Sequence, residues 1–391
     1  MEATVVIVGG GPAGLATSVC LSKFCISNMI LEGEDCYASL WKKRAYDRLS
    51  LHLAKAFCEL PYMPHLSTTP TFMPKREFVR YLDTYVSHFD IKPHCNRCVV
   101  SAFFRESSKK WIVEAKNTIS GETEVYIAKF LVVATGENGK PFIPEIPGMD
   151  SFPGEVVHSS AYKCGSGFEN KQVLVVGSGN SGMEISFDLS NHGAYASLVV
   201  RSPVHVVTKQ QIYMGMVLLK YLPMWFVDAM VTLLSRMELG DLSKFGIHRP
   251  RRGPFTHKIV TGQTPVLDVG TVNKIHTGEI KVVPAIDSIN GNMVKFSDGV
   301  EKYFDAIVFA TGYKSVANDW LKDYNYILNE EGMPRNPFPN HWKGENGAYC
   351  VGLARDGISG VSKDAIAVAD DINGILSHEE KENGEALEDP S

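Results

Sequence analysis

Short apolar runs that stop at glycine recur along this 391-residue chain. Val5-Val6-Ile7-Val8 stops at Gly9, and Val173-Leu174-Val175-Val176 stops at Gly177. Phe130–Val133 and Ala306–Phe309 both run into Ala-Thr-Gly. Four apolar residues in a row predict strands covered on both faces. Residues 12–24 have helical character and 28–32 predict a second strand, so a βαβ unit opens the chain. A second unit begins at Gln172, with a helix to about Asn191 and a strand over 196–201. Its first glycine follows that of the first unit by 168 residues. A solenoid repeats every 20–50 residues or so, so this is a duplication, not a solenoid. A Pro/Gly-rich link spans Pro141–Pro153, and one more strand is expected at 349–353, followed by a helix over roughly 361–376.

Composition narrows the class. The chain is 44% apolar and 21% charged, as globular domains are. A net charge of −5 argues against nucleic-acid binding, which needs excess Lys and Arg on one face. Eight scattered cysteines are not a secreted disulfide framework, and a reducing compartment is expected. The start of the chain lacks the basic residues and long apolar core of a signal peptide. The apolar stretch 212–234 is long enough to cross a bilayer, but Lys220, Pro223 and Asp228 interrupt it. An ionised residue at mid-bilayer costs about 2.5–3.5 kcal/mol, so two amphipathic helices broken at Pro223 are expected, either buried or in peripheral contact with a membrane, and not a span.

The glycine turns carry the chemistry. Gly9-Gly10-Gly11-Pro12-Ala13-Gly14 fits G-x-G-x-x-G, and Glu32 follows Gly14 by 18 residues. The motif alone is weak, since any βα glycine turn can match it. Here it follows a strand, opens a helix and has its acid in register, which completes the dinucleotide fingerprint. The turn brings the backbone close to a pyrophosphate at a helix N-terminus, and Glu32 is expected to accept from ribose hydroxyls. Gly177-Ser178-Gly179-Asn180-Ser181-Gly182 repeats the plan, but Arg201 and Ser202 stand where the acid would be. A guanidinium there suits a 2′-phosphate, so this site is expected to prefer NADPH, unless Arg201 is simply a surface residue at a strand end. Lys209 is a candidate helper at that phosphate, read in preference as a solvated lysine. Two unlike dinucleotide sites predict FAD at the first and NADPH at the second, with hydride passing between the cofactors.

Electrons could then go to a disulfide, a quinone, another protein or oxygen. Cys95 and Cys98 form the one close cysteine pair, outside both nucleotide units, and are read as incidental thiols; no metal site is expected. Phe152-Pro-Gly154-Glu-Val-Val-His158-Ser-Ser-Ala-Tyr162 matches FxGxxxHxxx(Y/F), and resembles the signature of flavin-containing monooxygenases. Leu40-Trp41, Tyr46–Leu49, Ala134–Asn138, Asn180–Glu184, Thr264–Gly270, Ala310–Tyr313 and Trp342–Gly347 further resemble the plant YUCCA group over about residues 3 to 375. Ser178 departs from the Cys found in many of those relatives.

The resemblance implies an indole-3-pyruvate monooxygenase of auxin synthesis. NADPH would reduce FAD, and oxygen would add at flavin C4a to give a (hydro)peroxide. That species would attack the keto carbon, and loss of carbon dioxide would yield indole-3-acetate in a dry pocket. It implies contacts of Thr135, Gly136 and Trp41 with FAD, although Trp41 is equally compatible with apolar packing. Asn138 and His158 are the candidate residues near the nicotinamide. The alternatives are a sulfur- or nitrogen-oxygenating monooxygenase, an NADPH-dependent flavin reductase and a nucleotide-loaded sensor. The expected fold is α/β: two Rossmann-like domains, the NADPH domain inserted into the FAD domain. Residues 1–150 and 285–376 are assigned to FAD, 151–284 to NADPH with a helical insertion at 210–240, and 377–391 to a disordered acidic tail. A cytoplasmic protein is expected, with any membrane contact at the surface of the endoplasmic reticulum.

Overall fold

The computed structural model describes residues 1–388. They divide into two compact units, both of α/β type. The first holds residues 1–43, 55–140 and those from Tyr313 onward; the second holds 44–54 and 141–312.

In the first unit β1 (Glu2–Val8) is followed by α1 (Pro12–Lys23) and β2 (Asn28–Leu31). Pro12 fixes the first helical φ, and Ala13 to Leu21 are all buried. A helix buried on every side needs no polar face, which is why α1 reads Ala-Gly-Leu-Ala-Thr without amphipathic period. Next come α2 (Lys75–His88), β3 (Arg97–Arg105), β4 (Lys110–Asn117) and β5 (Thr123–Val133). β1 lies between β2 and β5, parallel to both. β3 and β4 add an antiparallel meander on the first half of β5.

The second unit is built on a fully parallel five-stranded sheet. Its elements are β6 (Glu155–His158), β7 (Gln172–Val176), α3 (Asn180–Asn191) and β8 (Tyr195–Val199). Then follow α4 (Lys209–Leu218), α5 (Met224–Leu239), α6 (Pro254–Thr261) and β9 (Ile280–Val283). The antiparallel β10 (Ile286–Asn290), β11 (Met293–Phe296) and β12 (Glu301–Tyr303) precede β13 (Ala306–Phe309). The sheet order is β9-β8-β7-β13-β6. Val173, Val175 and Val308 enter one apolar cluster, and Leu174, Val176, Ile307 and Phe309 the other. Alternate residues of one strand thus fill both faces, which explains the unbroken apolar runs.

The helices of this unit have their own logic. Thr208 and Gln211 form a reciprocal capping box at α4. Pro223 is the N-cap of α5. Asp228, which breaks the apolar stretch in the sequence, is buried and accepts from the backbone N–H groups of Phe255 and Thr256 at 2.7 and 3.1 Å. It therefore caps the start of α6. Among the described residues no helix is long and apolar enough to cross a membrane. The chain then returns to the first unit with β14 (Ala348–Cys350), parallel to the end of β5, and α7 (Gly357–Glu388), which packs on α1.

Three expectations about organisation change. The first unit resumes at Tyr313, not at 285, because β13 pairs with β7 and β6 in the second sheet. An apolar run does not say which of two sheets it joins. The link before β6 also belongs to the second unit. A Cβ on Gly148, whose φ is +79°, would lie 1.9 Å from the Ile289 carbonyl. The stretch from 377, expected to be disordered, continues α7 as far as Glu388. Val368, Ala369 and Ile372 anchor the helix, Lys129 pairs with Glu379, and Glu, Lys and Ala extend it at little cost. Residues 389–391 of that tail lie outside the described residues.

Trp111 of β4 is fully buried and donates to the Asn346 carbonyl at 2.8 Å, tying the meander to the 344–347 turn. Trp111→Ala is expected to cost about 3–5 kcal/mol, read as a lowered midpoint in urea unfolding followed by circular dichroism.

Candidate functional site

Both glycine turns are built the same way. Gly9 has φ +114° and Gly177 +113°, a region that L side chains avoid. A Cβ on either would lie 2.5 Å from a carbonyl oxygen: that of Ala134 for Gly9, that of Ala310 for Gly177. The two Ala-Thr-Gly segments thus supply the wall of each turn, and Ala134 and Ala310 donate back to Val8 and Val176 at 2.9 and 2.8 Å. Gly14 and Gly182 close each turn, where a Cβ would come within 1.9 and 1.8 Å of the Gly9 and Gly177 carbonyls.

The middle glycines behave differently. A Cβ built on Gly11 or Gly179 meets no protein atom within 4 Å. Protein packing does not demand glycine there; close approach of a ligand would. Neither α1 nor α3 has a side-chain N-cap, so no capping side chain takes up the N–H groups of either first turn. Thr135 supports the same reading in the first unit. Its Oγ1 is buried and lacks a hydrogen-bond partner, whereas the matching Thr311 hydroxyl donates to the Phe142 carbonyl. These features fit a pyrophosphate at each turn and a polar group of a cofactor at Thr135.

Glu32 ends its strand buried, and accepts from the Gly10 N–H at 2.7 Å and the Glu34 N–H at 2.9 Å. Burial raises its pKa, while those two N–H groups pull it down. It therefore braces the turn through its own side chain. The matching Arg201 lies two residues beyond β8 and is exposed, as is Ser202. No side-chain hydrogen bond or ion pair joins Arg201 to the described residues. Ala13 is buried in the first turn, and Gly136 has φ +71°. Trp41 lies in a single π-helical turn, Leu40–Arg44, edge-on to Phe78 at 4.6 Å between ring centroids. Ala38 holds this segment to the first turn by donating to the Gly10 carbonyl at 2.9 Å. Asn138 is exposed in the first unit.

The flavin-monooxygenase-like signature proves to be a brace of the second unit. Phe152 fills one apolar cluster. Gly154 lets the chain pass the Asp305 carbonyl, 2.2 Å from where a Cβ would be. His158 is buried, with Nε2 3.1 Å from the Gly312 carbonyl and Nδ1 3.1 Å from the Ser160 N–H. That pattern requires the Nε2–H tautomer, and burial lowers the pKa, so the ring stays neutral. Tyr162 donates to Asp188 Oδ2 at 2.7 Å. Tyr46 donates to Glu184 Oε2, also at 2.7 Å, and Arg48 lies over the Phe187 ring. Both phenol pKa values are raised, by burial first and the carboxylates second.

Sequence reasoning named Glu184 and Tyr46 only as parts of a resemblance and missed Asp188. The available signal was two acids four residues apart on the buried face of α3. Lys209, read as solvated, is half-buried, and burial lowers its pKa. Asn180 side-chain oxygen accepts from the Leu267 N–H at 2.8 Å. Among the described residues no cluster of three His, Cys, Asp or Glu could hold a metal.

Two predictions follow from this geometry. Gly11→Ala should fold normally yet lose bound FAD, and Gly179→Ala should keep FAD while raising KM for NADPH. Circular dichroism, the flavin absorbance of the purified protein and NADPH titration read these three properties. His158, being neutral when folded, contributes stability that is complete above its unfolded pKa of about 6.5 and lost as pH falls through its lower folded value. Urea midpoints against pH should fall less steeply on the acid side in His158→Gln. His65 and His205, also lowered by burial, contribute slope of the same sign, as do carboxylates such as Glu124 that are held low by their hydrogen bonds.

Comparison with known proteins agrees with this construction. Residues 2–333 match the model of the family described as flavin-binding monooxygenase-like. The probable indole-3-pyruvate monooxygenase YUCCA10 of Arabidopsis thaliana is 59% identical over 96% of this chain and 99% of its own length. Indole-3-pyruvate monooxygenase YUCCA6 of the same plant is 46% identical over 96% and 91%. Among solved structures, a flavin-containing monooxygenase from Stenotrophomonas maltophilia has a TM-score of 0.73 at 19% identity, covering 96% of this chain and 99% of that one. Cyclohexanone monooxygenase from Rhodococcus sp. Phi1 has a TM-score of 0.70 at 17% identity, covering 97% and 85%. The chain belongs to the flavin-binding monooxygenase-like family, and within it to the YUCCA group.

Proposed function

We propose that this flavin-dependent monooxygenase converts indole-3-pyruvate, with O2, NADPH and a proton, into indole-3-acetate, carbon dioxide, water and NADP+. The observation that carries the reading is the pairing of two near-identical glycine turns with opposite charges at their ribose ends, Glu32 and Arg201. The names of relatives 46–59% identical supply the substrate.

The N–H groups at the start of α1 would hold the FAD pyrophosphate, with Glu32 at its ribose and Thr135 Oγ1 as a further donor or acceptor. The N–H groups at the start of α3 would hold the NADPH pyrophosphate, and Arg201 with Ser202 its 2′-phosphate. Bound NADPH supplies hydride and bound FAD supplies the two-electron activation of oxygen. The chain's own part is binding, orientation and keeping stray protons away. Near the second turn His158, Tyr46 and Tyr162 are buried, hydrogen-bonded and held in their uncharged forms, so they do not release protons at neutral pH. We assign no nucleophile or general base to the protein, and Asn138 and His158 are proposed as support residues, not as acids or bases. A cytoplasmic location and peripheral contact with the endoplasmic reticulum belong to the same proposal; eight free thiols support a reducing compartment.

Purified FAD-loaded protein given NADPH, oxygen and indole-3-pyruvate should form indole-3-acetate in step with NADPH consumed, measured by mass spectrometry. NADPH loss with hydrogen peroxide and no acid would overturn the substrate. Arg201→Ala should raise KM for NADPH about tenfold and leave KM for NADH nearly unchanged. Equal effects on both would overturn the role of Arg201.

A further inference from the structure

We propose that the outer face of α5, with the turn that precedes it, docks on an anionic lipid bilayer. α5 is apolar on two opposite faces. Val227, Val231, Ser235 and Leu239 point inward at every fourth position and are buried. Trp225, Ala229, Leu233 and Met237 repeat the same spacing on the outside, where Trp225 is 71%, Leu233 59% and Met237 74% exposed. Tyr221, at 79%, and Phe226 extend the face at its leading end. Ile259 and Val260 of α6, which packs against α5, add to it. A helix normally turns one stripe to the core and a polar one to water; a second apolar stripe marks a surface made to be covered.

Charge selects the occupant. Residues 209–262 contain eight Lys and Arg and three Asp and Glu, a net +5 in a chain whose total is −5. Lys220 adjoins Tyr221, Arg236 adjoins Met237, and Arg251 and Arg252 precede α6; all four are exposed. A second copy of this chain would bring the same positive face against itself, with like charges opposed. An anionic membrane meets both features at once. Lys and Arg sit at the headgroups, and the apolar face enters the acyl boundary by about 5–10 Å. Trp225, Tyr221 and Phe226 are the aromatic types favoured at that depth. α5 has 16 residues, about 24 Å of helix, and Asp228 and Glu238 lie within it, so it lies on the bilayer and does not cross it.

The test uses the full-length FAD-loaded protein in flotation with phosphatidylcholine vesicles, with and without phosphatidylserine. The protein should float with the phosphatidylserine vesicles, and binding should weaken as salt is raised. Arg236→Ala should lower the partition about fivefold. Trp225→Glu combined with Leu233→Glu should abolish flotation while FAD content and NADPH oxidation stay unchanged. Should that pair fail to fold, Met237→Glu gives the same reading. Absence of flotation with either vesicle, or undiminished flotation of the glutamate variants, would overturn the proposal. So would a dimer in light scattering that the same substitutions dissolve without any vesicle binding, which would give the face to a second copy. The docking face deepens the peripheral membrane contact proposed above, so its failure removes that contact and leaves the oxygenase reaction untouched, because activity is measured separately.

Discussion

Backbone must touch backbone at two places for this molecule to exist in its present form. Gly9 rests on the Ala134 carbonyl and Gly177 on that of Ala310, each at a separation that a single methyl group would close to 2.5 Å. That contact draws the end of one strand against the end of its neighbour and lets the following helix start close beside both. Gly14 and Gly182 then remove the last obstacle between helix and turn. The N-termini of α1 and α3 therefore have unsatisfied N–H groups by construction, and an anion is the natural partner for them. Position and chemistry come from the same missing side chains, at the first, third and sixth positions of each turn.

The second turn needs more support than the first, and its support is polar and buried. Glu184 and Asp188 lie within α3 on its covered side, where an unpaired carboxylate would be very costly. Tyr46 and Tyr162 satisfy them, at 2.7 Å each. The segment Arg44–Ala54 belongs to the second unit through this contact, although the chain on both sides of it belongs to the first. His158 secures the Ala-Thr-Gly wall of the same turn from the other direction. A sequence signature that invites a catalytic reading is, in this molecule, largely the brace of a nucleotide turn.

Strand, turn and helix at both sites were legible in the sequence because they depend on local chemistry. Apolar runs, positive-φ glycines and the acid or arginine 18–19 residues later are all short-range signals. Sheet membership was not legible. Ala306–Phe309 reads like Phe130–Val133, and only long-range pairing sends the first to the second unit's sheet and the second to the first unit's. The roles of Asp188 and Asp228 were hidden for the same reason: their partners lie 23 to 28 residues away. The tail from 377 misled composition because a Glu-rich stretch suits a solvated chain and a solvated helix equally, and the buried residues that start α7 decide between them.

The ionisable groups near the turns point to a division of labour. A residue used for proton transfer needs a pKa near the working pH and a hydrogen bond free to change. Tyr46 and Tyr162 are pushed away from neutrality by burial, and their hydroxyls are committed to carboxylates. His158 is pushed down and has both ring nitrogens engaged. These groups are committed to holding shape. A reaction that generates a reactive oxygen species gains from such a setting, because a mobile proton would divert it to hydrogen peroxide. The two turns differ mainly in what stands at the ribose end, a buried carboxylate in one and an exposed guanidinium in the other. Under the proposed assignment, that one difference would let a duplicated element distinguish two dinucleotides of similar size and opposite task.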